Sequence, residues 1–125
     1  MLFDTDVLIW VLRDNENAVR LVEAAEERRL SVITYMELLQ GARDKRELKT
    51  IKDFLARSAF QMVSLTENTG HRASIYMEEY GLNAGLRIAD ALIAAAAVEG
   101  GIALCTGNVK HYRHIKDLDI KQFRP

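Results

Sequence analysis

Acidic side chains stand inside apolar stretches at three separate places of the chain. Asp4 follows Phe3, Glu37 lies within the run YMELL, and Asp90 lies within the run IADALIA. Burial of an unpaired carboxylate costs several kcal/mol, on the order of the effective penalty per ion. Such groups are retained where a cation or a set of donors satisfies them. No Lys or Arg adjoins the first two acids, whereas Arg87 stands three residues before Asp90 and could pair with it on one helix face.

A hard divalent cation would satisfy all three acids if the fold brings them together. Oxygen ligands and retained waters are what Mg²⁺ and Mn²⁺ take. Each acid also has a structural alternative. Asp4 could cap the helix that follows it, Glu37 could form a capping box with Thr34, and Asp90 could be a first-turn acid favoured by the helix dipole. Because caps alone do not require apolar neighbours, the three acids together favour the metal site.

Further polar residues stand near the same predicted position. Thr106 and Asn108 offer neutral oxygens and an amide after the predicted fourth strand, although a turn followed by a helix N-cap is the commoner role for these residue types. Asp6 is either another first-turn acid or a group that orients the site. His111 and His114 stand three residues apart, and we expect two exposed histidines here in preference to a metal pair.

Short apolar segments alternate with helical patterns along the whole chain. Strands are predicted at residues 1–3, 30–34, 60–65 and 102–106, with an edge strand at 119–123. Helices are predicted at residues 7–12, 15–29, 34–43, 44–57, 66–80 and 87–99, with a short turn or helix at 108–114. This alternation predicts an α/β protein of three layers, α/β/α, around a mainly parallel sheet of four or five strands. Ligand sites in such sheets lie at the carboxyl ends of the strands, where the three acids are expected to meet.

Composition narrows the class of protein further. The 125 residues predict one domain over 1–125, and the formal net charge of −1 excludes a histone-like basic protein. Cys105 is the single cysteine, so an internal disulfide and a cysteine-based zinc site are excluded. No apolar run reaches the roughly 18 residues of a membrane span, and the first residues lack the pattern of a signal peptide. We therefore expect a cytoplasmic protein without a membrane partner.

Four short motifs, in order and spread over essentially the whole chain, resemble those of the PIN-domain nuclease family, and specifically its VapC toxins. The segment MLFDTDVLIWVL is similar to the family's first strand with its acid, here Asp4. ITYMELLQGAR resembles the segment with the second acid, Glu37, and IADALIAAAA the segment with the third, Asp90. LCTGNVKHY resembles the last motif, to which it contributes Thr106 and Asn108.

The chain departs from the family pattern at two positions. His111 stands where the last motif often has a fourth acid, and Tyr112 follows it in place of Phe. The residue two after the first acid is commonly Asn or Ser in the family and is Asp6 here. This extra carboxylate could partly offset the missing one.

The resemblance implies a PIN-like fold and a Mg²⁺- or Mn²⁺-dependent endoribonuclease, in which a metal-activated water cleaves RNA phosphodiester bonds. It implies metal ligands and catalytic groups at Asp4, Glu37, Asp90 and Asn108, with Asp6 and Thr106 in support. VapC toxins are usually homodimers held in check by a small antitoxin that inserts a segment near the active site. The resemblance therefore implies both kinds of partner.

RNA binding by a nearly neutral chain requires an uneven distribution of charge. Residues 43–57 hold six basic and three acidic groups, and residues 105–125 hold five basic and two acidic groups. These segments could contact phosphates on either side of an acidic site, and segment 43–57 could equally be a solvated helix face. The alternative function is a non-catalytic PIN-like RNA-binding or regulatory module whose last acid has been replaced by His111.

Overall fold

A five-stranded sheet in which every neighbouring pair is parallel forms the centre of the computed structural model, which describes residues 1–125. The strands are β1 (Leu2–Phe3), β2 (Arg29–Ser31), β3 (Gln61–Val63), β4 (Leu104–Thr106) and β5 (Ile120–Gln122). Their order across the sheet is β3-β2-β1-β4-β5. The first strand of the chain therefore lies in the middle, and its ladder with β4 pairs Leu2 with Leu104 and Phe3 with Cys105.

Seven helices cover the two faces of this sheet. They are α1 (Thr5–Leu12), α2 (Glu16–Ala24), α3 (Val32–Gln40), α4 (Lys45–Arg57), α5 (Glu67–Tyr80), α6 (Ile88–Glu99) and α7 (Val109–Tyr112). None of them combines the length and the apolar character needed to cross a bilayer.

The sheet separates two apolar cores, and alternate side chains of the central strands contribute to one core or the other. Leu2 and Leu104 pack with the alanine-rich helix α6 and with α5 on one face. Phe3 and Cys105 pack with α1, α2 and α4 on the other. Since successive strand residues point to opposite faces, β1 and β4 are covered on both sides. This arrangement confirms the predicted three-layer α/β/α fold.

The second strand is shorter than predicted, and the difference changes the interpretation of Glu37. Residues 32–34 were expected in the strand because they include β-branched side chains, but they form the first turn of α3. The Ser31 hydroxyl accepts a hydrogen bond from the Ile33 amide at 3.0 Å, so Ser31 is the helix cap. The alternative of a capping box between Thr34 and Glu37 is therefore excluded, and Glu37 is free for other contacts. Likewise α2 ends at Ala24, before the predicted end at residue 29.

Stability depends on the buried side chains of the central strands. Leu104 is fully buried, whereas Leu82 is fully exposed in the turn after α5. We expect Leu104→Ala to lower the free energy of unfolding by about 2–5 kcal/mol, because it removes apolar contacts and leaves a cavity. The matched variant Leu82→Ala should change it by no more than about 0.5 kcal/mol. Urea unfolding followed by circular dichroism measures both, and equal effects would contradict this packing.

Candidate active site

A cavity of about 700 Å³ lies at the carboxyl ends of β1 and β4. Side chains from five different parts of the chain line it, and most of them are polar or charged. The lining includes Asp4, Asp6, Glu37, Arg87, Asp90, Asn108 and His111. The three acids singled out from the sequence thus lie around one cavity, as the parallel sheet predicted, although they are 33 and 53 residues apart along the chain.

Asp4 is the most deeply buried acid of this cavity, with 4% of its surface exposed. Its Oδ1 accepts a hydrogen bond from the Thr5 amide at 2.8 Å, so it also caps α1. Its Oδ2 accepts a hydrogen bond from the Thr106 hydroxyl at 2.7 Å. Burial raises the pKa of Asp4 to about 6; the hydrogen bond from Thr106 lowers it, and the nearby charge of Asp6 raises it. Two hydrogen-bond donors therefore hold this carboxylate, but they do not fully compensate the free-energy cost of burying its charge.

Thr106 connects the two central strands to the last motif. It is fully buried at the end of β4, and besides donating to Asp4 it accepts a hydrogen bond from the Asn108 amide at 3.0 Å. Asn108 occupies the N-cap position of α7, but its side chain makes no capping hydrogen bond and lines the cavity. The alternative of an ordinary cap therefore does not describe this asparagine side chain.

Glu37 is held by a hydroxyl that the sequence did not single out. Thr5 Oγ1 donates a hydrogen bond to Glu37 Oε1 at 2.7 Å and lies 3.0 Å from Thr34 Oγ1. Thr5 stands next to the first acid, yet its partners follow from the packing of α1 against α3, which no local pattern reveals. The contact links the first and second acidic segments directly.

Asp90 contacts two residues of the short helix α7. The Tyr112 hydroxyl donates to Asp90 Oδ1 at 3.2 Å, and His111 Nδ1 lies 3.7 Å from Asp90 Oδ2. Burial raises the pKa of Tyr112, and the charges of Asp4 and Asp90 add to this effect. His111 and His114 are both exposed, as expected, and the imidazole of His111 also lines the cavity.

The ion pair that the spacing allows between Arg87 and Asp90 does not form. Arg87 is the N-cap of α6 and has extended backbone angles, φ −95° and ψ 157°. Residues three apart share a face only inside a helix. Because Arg87 precedes the first helical residue of α6, its side chain does not lie on the same face as that of Asp90. No ion pair connects the two residues, and Asp90 contacts the imidazole of His111 instead.

Asp6 contributes an acceptor that has no protein donor. Its Oδ2 accepts a hydrogen bond from the Gly107 amide at 2.8 Å, while Oδ1 is buried without a hydrogen-bond partner. Burial also raises the pKa of this carboxyl group. A Cβ atom at position 107 would lie 2.7 Å from Asp6 Oδ2, so a larger residue here would displace the carboxylate from its present position.

The donor set of the cavity fits a hydrated hard cation. No three acids or histidines converge closely enough in this conformation to enclose a metal ion by themselves. Mg²⁺ keeps several waters and is usually held by only one or two carboxylates, so it does not need such a cluster. A cation near Asp4 would offset the cost of its burial, and the unpartnered Asp6 Oδ1 could accept a hydrogen bond from a cation-bound water. Asp4 and Asp90 could hold the ion, with Glu37 and Asn108 contacting its waters.

The raised pKa of Asp4 predicts how stability changes with pH in the absence of divalent ions. Because the folded chain favours the protonated carboxyl, its contribution to stability is present below about pH 4 and is lost as the pH rises through about 6. Relative to the wild type, Asp4→Asn should therefore gain about 2 kcal/mol in free energy of unfolding between pH 4 and pH 8. Urea unfolding in EDTA measures this difference. The surface variant Asp119→Asn should show no such gain. If the free energy of unfolding of the wild type rose relative to that of Asp4→Asn as the pH increased, the account would be contradicted.

Comparison with known proteins supports the motif analysis. The family model of the PIN domain matches residues 1–117. A toxin–antitoxin complex from Klebsiella pneumoniae contains a similar chain, with 28% identity, a TM-score of 0.77, and coverage of 94% of this chain and 93% of that one. No curated protein matches by sequence.

Two further solved structures share the fold at lower identity. VapBC-1 from nontypeable Haemophilus influenzae has 21% identity and a TM-score of 0.82, and the match covers 97% of this chain and 96% of that one. VapBC2 from Rickettsia felis, bound to a DNA fragment from its promoter, has 20% identity and a TM-score of 0.81, with 98% of each chain covered. Since the family model spans nearly the whole sequence, the chain belongs to the PIN domain family.

Proposed function

We propose that this PIN domain is a Mg²⁺- or Mn²⁺-dependent endoribonuclease and acts as the toxin of a toxin–antitoxin pair. The observation that carries the proposal is the meeting of Asp4, Asp6, Glu37 and Asp90 around one cavity at the carboxyl ends of the central strands. Four carboxylates around a cavity repel a phosphate unless a cation lies between them. The similarity to chains of toxin–antitoxin complexes supports the biological role.

In this proposal the substrate phosphodiester lies over the cavity and a water molecule attacks its phosphorus. The new P–O bond forms as the bond to one ribose oxygen breaks, and that oxygen leaves as a hydroxyl group with a proton from water. When bound, the cation polarises the phosphate and lowers the pKa of that water. Asp4 and Asp90 would hold the cation, and Thr106 and Tyr112 keep these two carboxylates in place through their hydroxyl groups. The Asn108 amide group can donate a hydrogen bond to a phosphate oxygen or to a cation-bound water. No serine or cysteine lines the cavity, which favours water as the nucleophile.

RNA contacts are proposed on the basic segment that follows the cavity. Lys110 and Arg113 are exposed on and just after α7, and neither forms an ion pair within the chain. In the other basic segment two of the six basic residues are paired, Arg43 with Glu47 and Lys49 with Asp53, whereas none of the five in the C-terminal segment forms an ion pair. The free cations of the C-terminal segment are therefore the better candidates for binding phosphates. Single-stranded or loop RNA is the expected substrate, because its backbone and bases are accessible.

The second candidate function is binding of RNA without cleavage. The observation in its favour is His111, whose imidazole lies 3.7 Å from Asp90 Oδ2 at a position where the family motif often has an acid. A centre with one carboxylate fewer binds a cation more weakly. This alternative predicts RNA binding with no cleavage in any divalent ion.

Metal-dependent cleavage can be tested with a fluorescent single-stranded RNA. We expect cleavage in Mg²⁺ or Mn²⁺, none in excess EDTA, and at least about a hundredfold slower cleavage for Asp4→Asn and Asp90→Asn, because each removes a proposed metal ligand. Asp119→Asn makes the same chemical change outside the cavity and should cleave at the wild-type rate. Equal cleavage in EDTA would exclude the metal-dependent mechanism, and binding without cleavage would support the second candidate.

We also propose where the antitoxin binds. A groove of about 620 Å³ lies between α1, α3 and α4, and its apolar lining includes Ile9, Leu12, Leu38 and Ala42. Glu37 lines both this groove and the acidic cavity. A peptide in the groove would therefore reach the proposed active site, which fits an antitoxin that inhibits by insertion. Pairing of two copies is proposed on the opposite helix layer, through the α5 face that begins at Ile75.

The two proposed surfaces can be tested independently, because each contains one isoleucine of the same exposure. Ile9 in the groove and Ile75 on α5 are each 36% exposed. Co-expression with the proposed antitoxin should show at least about tenfold weaker complex formation for Ile9→Asp, because a charge would be buried in an apolar groove. Ile75→Asp should retain the complex and instead reduce the molar mass of the toxin in light scattering. An Ile9→Asp complex of undiminished affinity would exclude the groove as the antitoxin site.

A further inference from the structure

Arg87 is the one arginine or lysine in the lining of the acidic cavity. Its side chain is exposed and takes part in no hydrogen bond or ion pair, although four carboxylates line the same cavity. Arginine side chains near several acids usually pair with one of them. A free guanidinium at this place therefore calls for another explanation.

Local structure explains why Arg87 stays free. As the N-cap of α6 it lies outside the helical spiral, and the nearest acid, Asp90, is engaged by the Tyr112 hydroxyl and lies beside the His111 imidazole. Glu37 accepts its hydrogen bond from Thr5. Two of the candidate anionic partners thus have contacts of their own, and the guanidinium keeps its five donors for a ligand.

We propose that Arg87 binds a phosphate of the substrate backbone at the edge of the cavity, beside the phosphate that is cleaved. This inference rests on the proposed function and names a substrate-binding residue for it. A planar guanidinium can donate two parallel hydrogen bonds to one phosphate, which fixes the orientation as well as the position of the strand. Its charge also offsets part of the repulsion that the four carboxylates exert on a polyanion.

The backbone beside Arg87 supports the same ligand. No side chain caps α6, a helix of 12 residues, and its first residues Ile88 and Ala89 line the cavity. The amide groups of a first helical turn lack partners within the helix and favour an anion. Lys110 and Arg113 are also free cations, but they do not line the cavity and are placed to contact nucleotides farther along the strand.

RNA binding can be measured apart from cleavage in the Asp4→Asn background. The probe is a fluorescein-labelled single-stranded RNA of 12 nucleotides, and its anisotropy is recorded in Mg²⁺ over a range of salt concentrations. We expect added Arg87→Ala to raise Kd about tenfold and to lower the slope of log Kd against log salt by about 0.7, the value for one phosphate contact on a single strand. Arg87→Lys should keep the slope and lose part of the affinity, because it retains the charge without the planar fork.

The matched control is Arg20→Ala in the same background. Arg20 is exposed on α2, away from the cavity, and should leave both Kd and the slope unchanged. If Arg87→Ala binds like its parent, or if Arg20→Ala weakens binding equally, the role of Arg87 is wrong while the proposed nuclease stands. If neither the parent nor the wild type binds RNA and the wild type does not cleave it, the proposed function fails and the role of Arg87 fails with it.

Discussion

The carboxylate of Asp4 lies at the end of the central strand, and the hydrogen bond that it accepts from the buried Thr106 hydroxyl connects the two ends of the chain across 102 residues. This contact can form only if β1 and β4 are neighbours in parallel register, with Phe3 opposite Cys105. The same hydroxyl accepts from the Asn108 amide, and the same carboxylate begins α1. The hydrogen bond between Thr106 and Asp4 therefore helps to set the direction of α1, the course of the last motif and the shape of the cavity.

Burial of the Asp4 carboxylate also gives the fold an electrostatic cost above about pH 6, where the group is no longer protonated and where a bound cation would offset the cost. Two donors hold the carboxylate, yet burial still raises its pKa to about 6, and the charge of Asp6 adds to the effect. Neighbouring helices supply hydroxyl groups to two of the other acids, Thr5 to Glu37 and Tyr112 to Asp90, but no lysine or arginine forms an ion pair with any acid of the cavity. Perturbed carboxyl groups gathered in one cavity are typical of functional sites. This arrangement supports the proposal that the cavity receives a cation.

The layers, the parallel sheet and the meeting of the acids could be predicted from the sequence, because these features follow from the alternation of short apolar strands with amphipathic helices. The sequence was insufficient wherever a contact depends on the packing of distant elements. The start of α3 at Val32 follows from the Ser31 cap, which overrode the β-branched side chains of residues 32–34. The positions of Thr5 and His111 depend on how α1 meets α3 and how α7 meets α6, and no local pattern encodes either.

The near balance of 17 basic and 18 acidic residues conceals a separation of charge, with acids gathered in the cavity and unpaired cations at its edge and beyond. That separation is useful only if a cation occupies the acidic centre, which is the central claim. Calorimetric titration of Mn²⁺ into the metal-free chain at pH 8, above the pKa of Asp4, tests it most directly. The account predicts saturable binding to the wild type and to Asp119→Asn, and its loss in Asp4→Asn. Absence of binding to the wild type, or equal binding to Asp4→Asn, would contradict it.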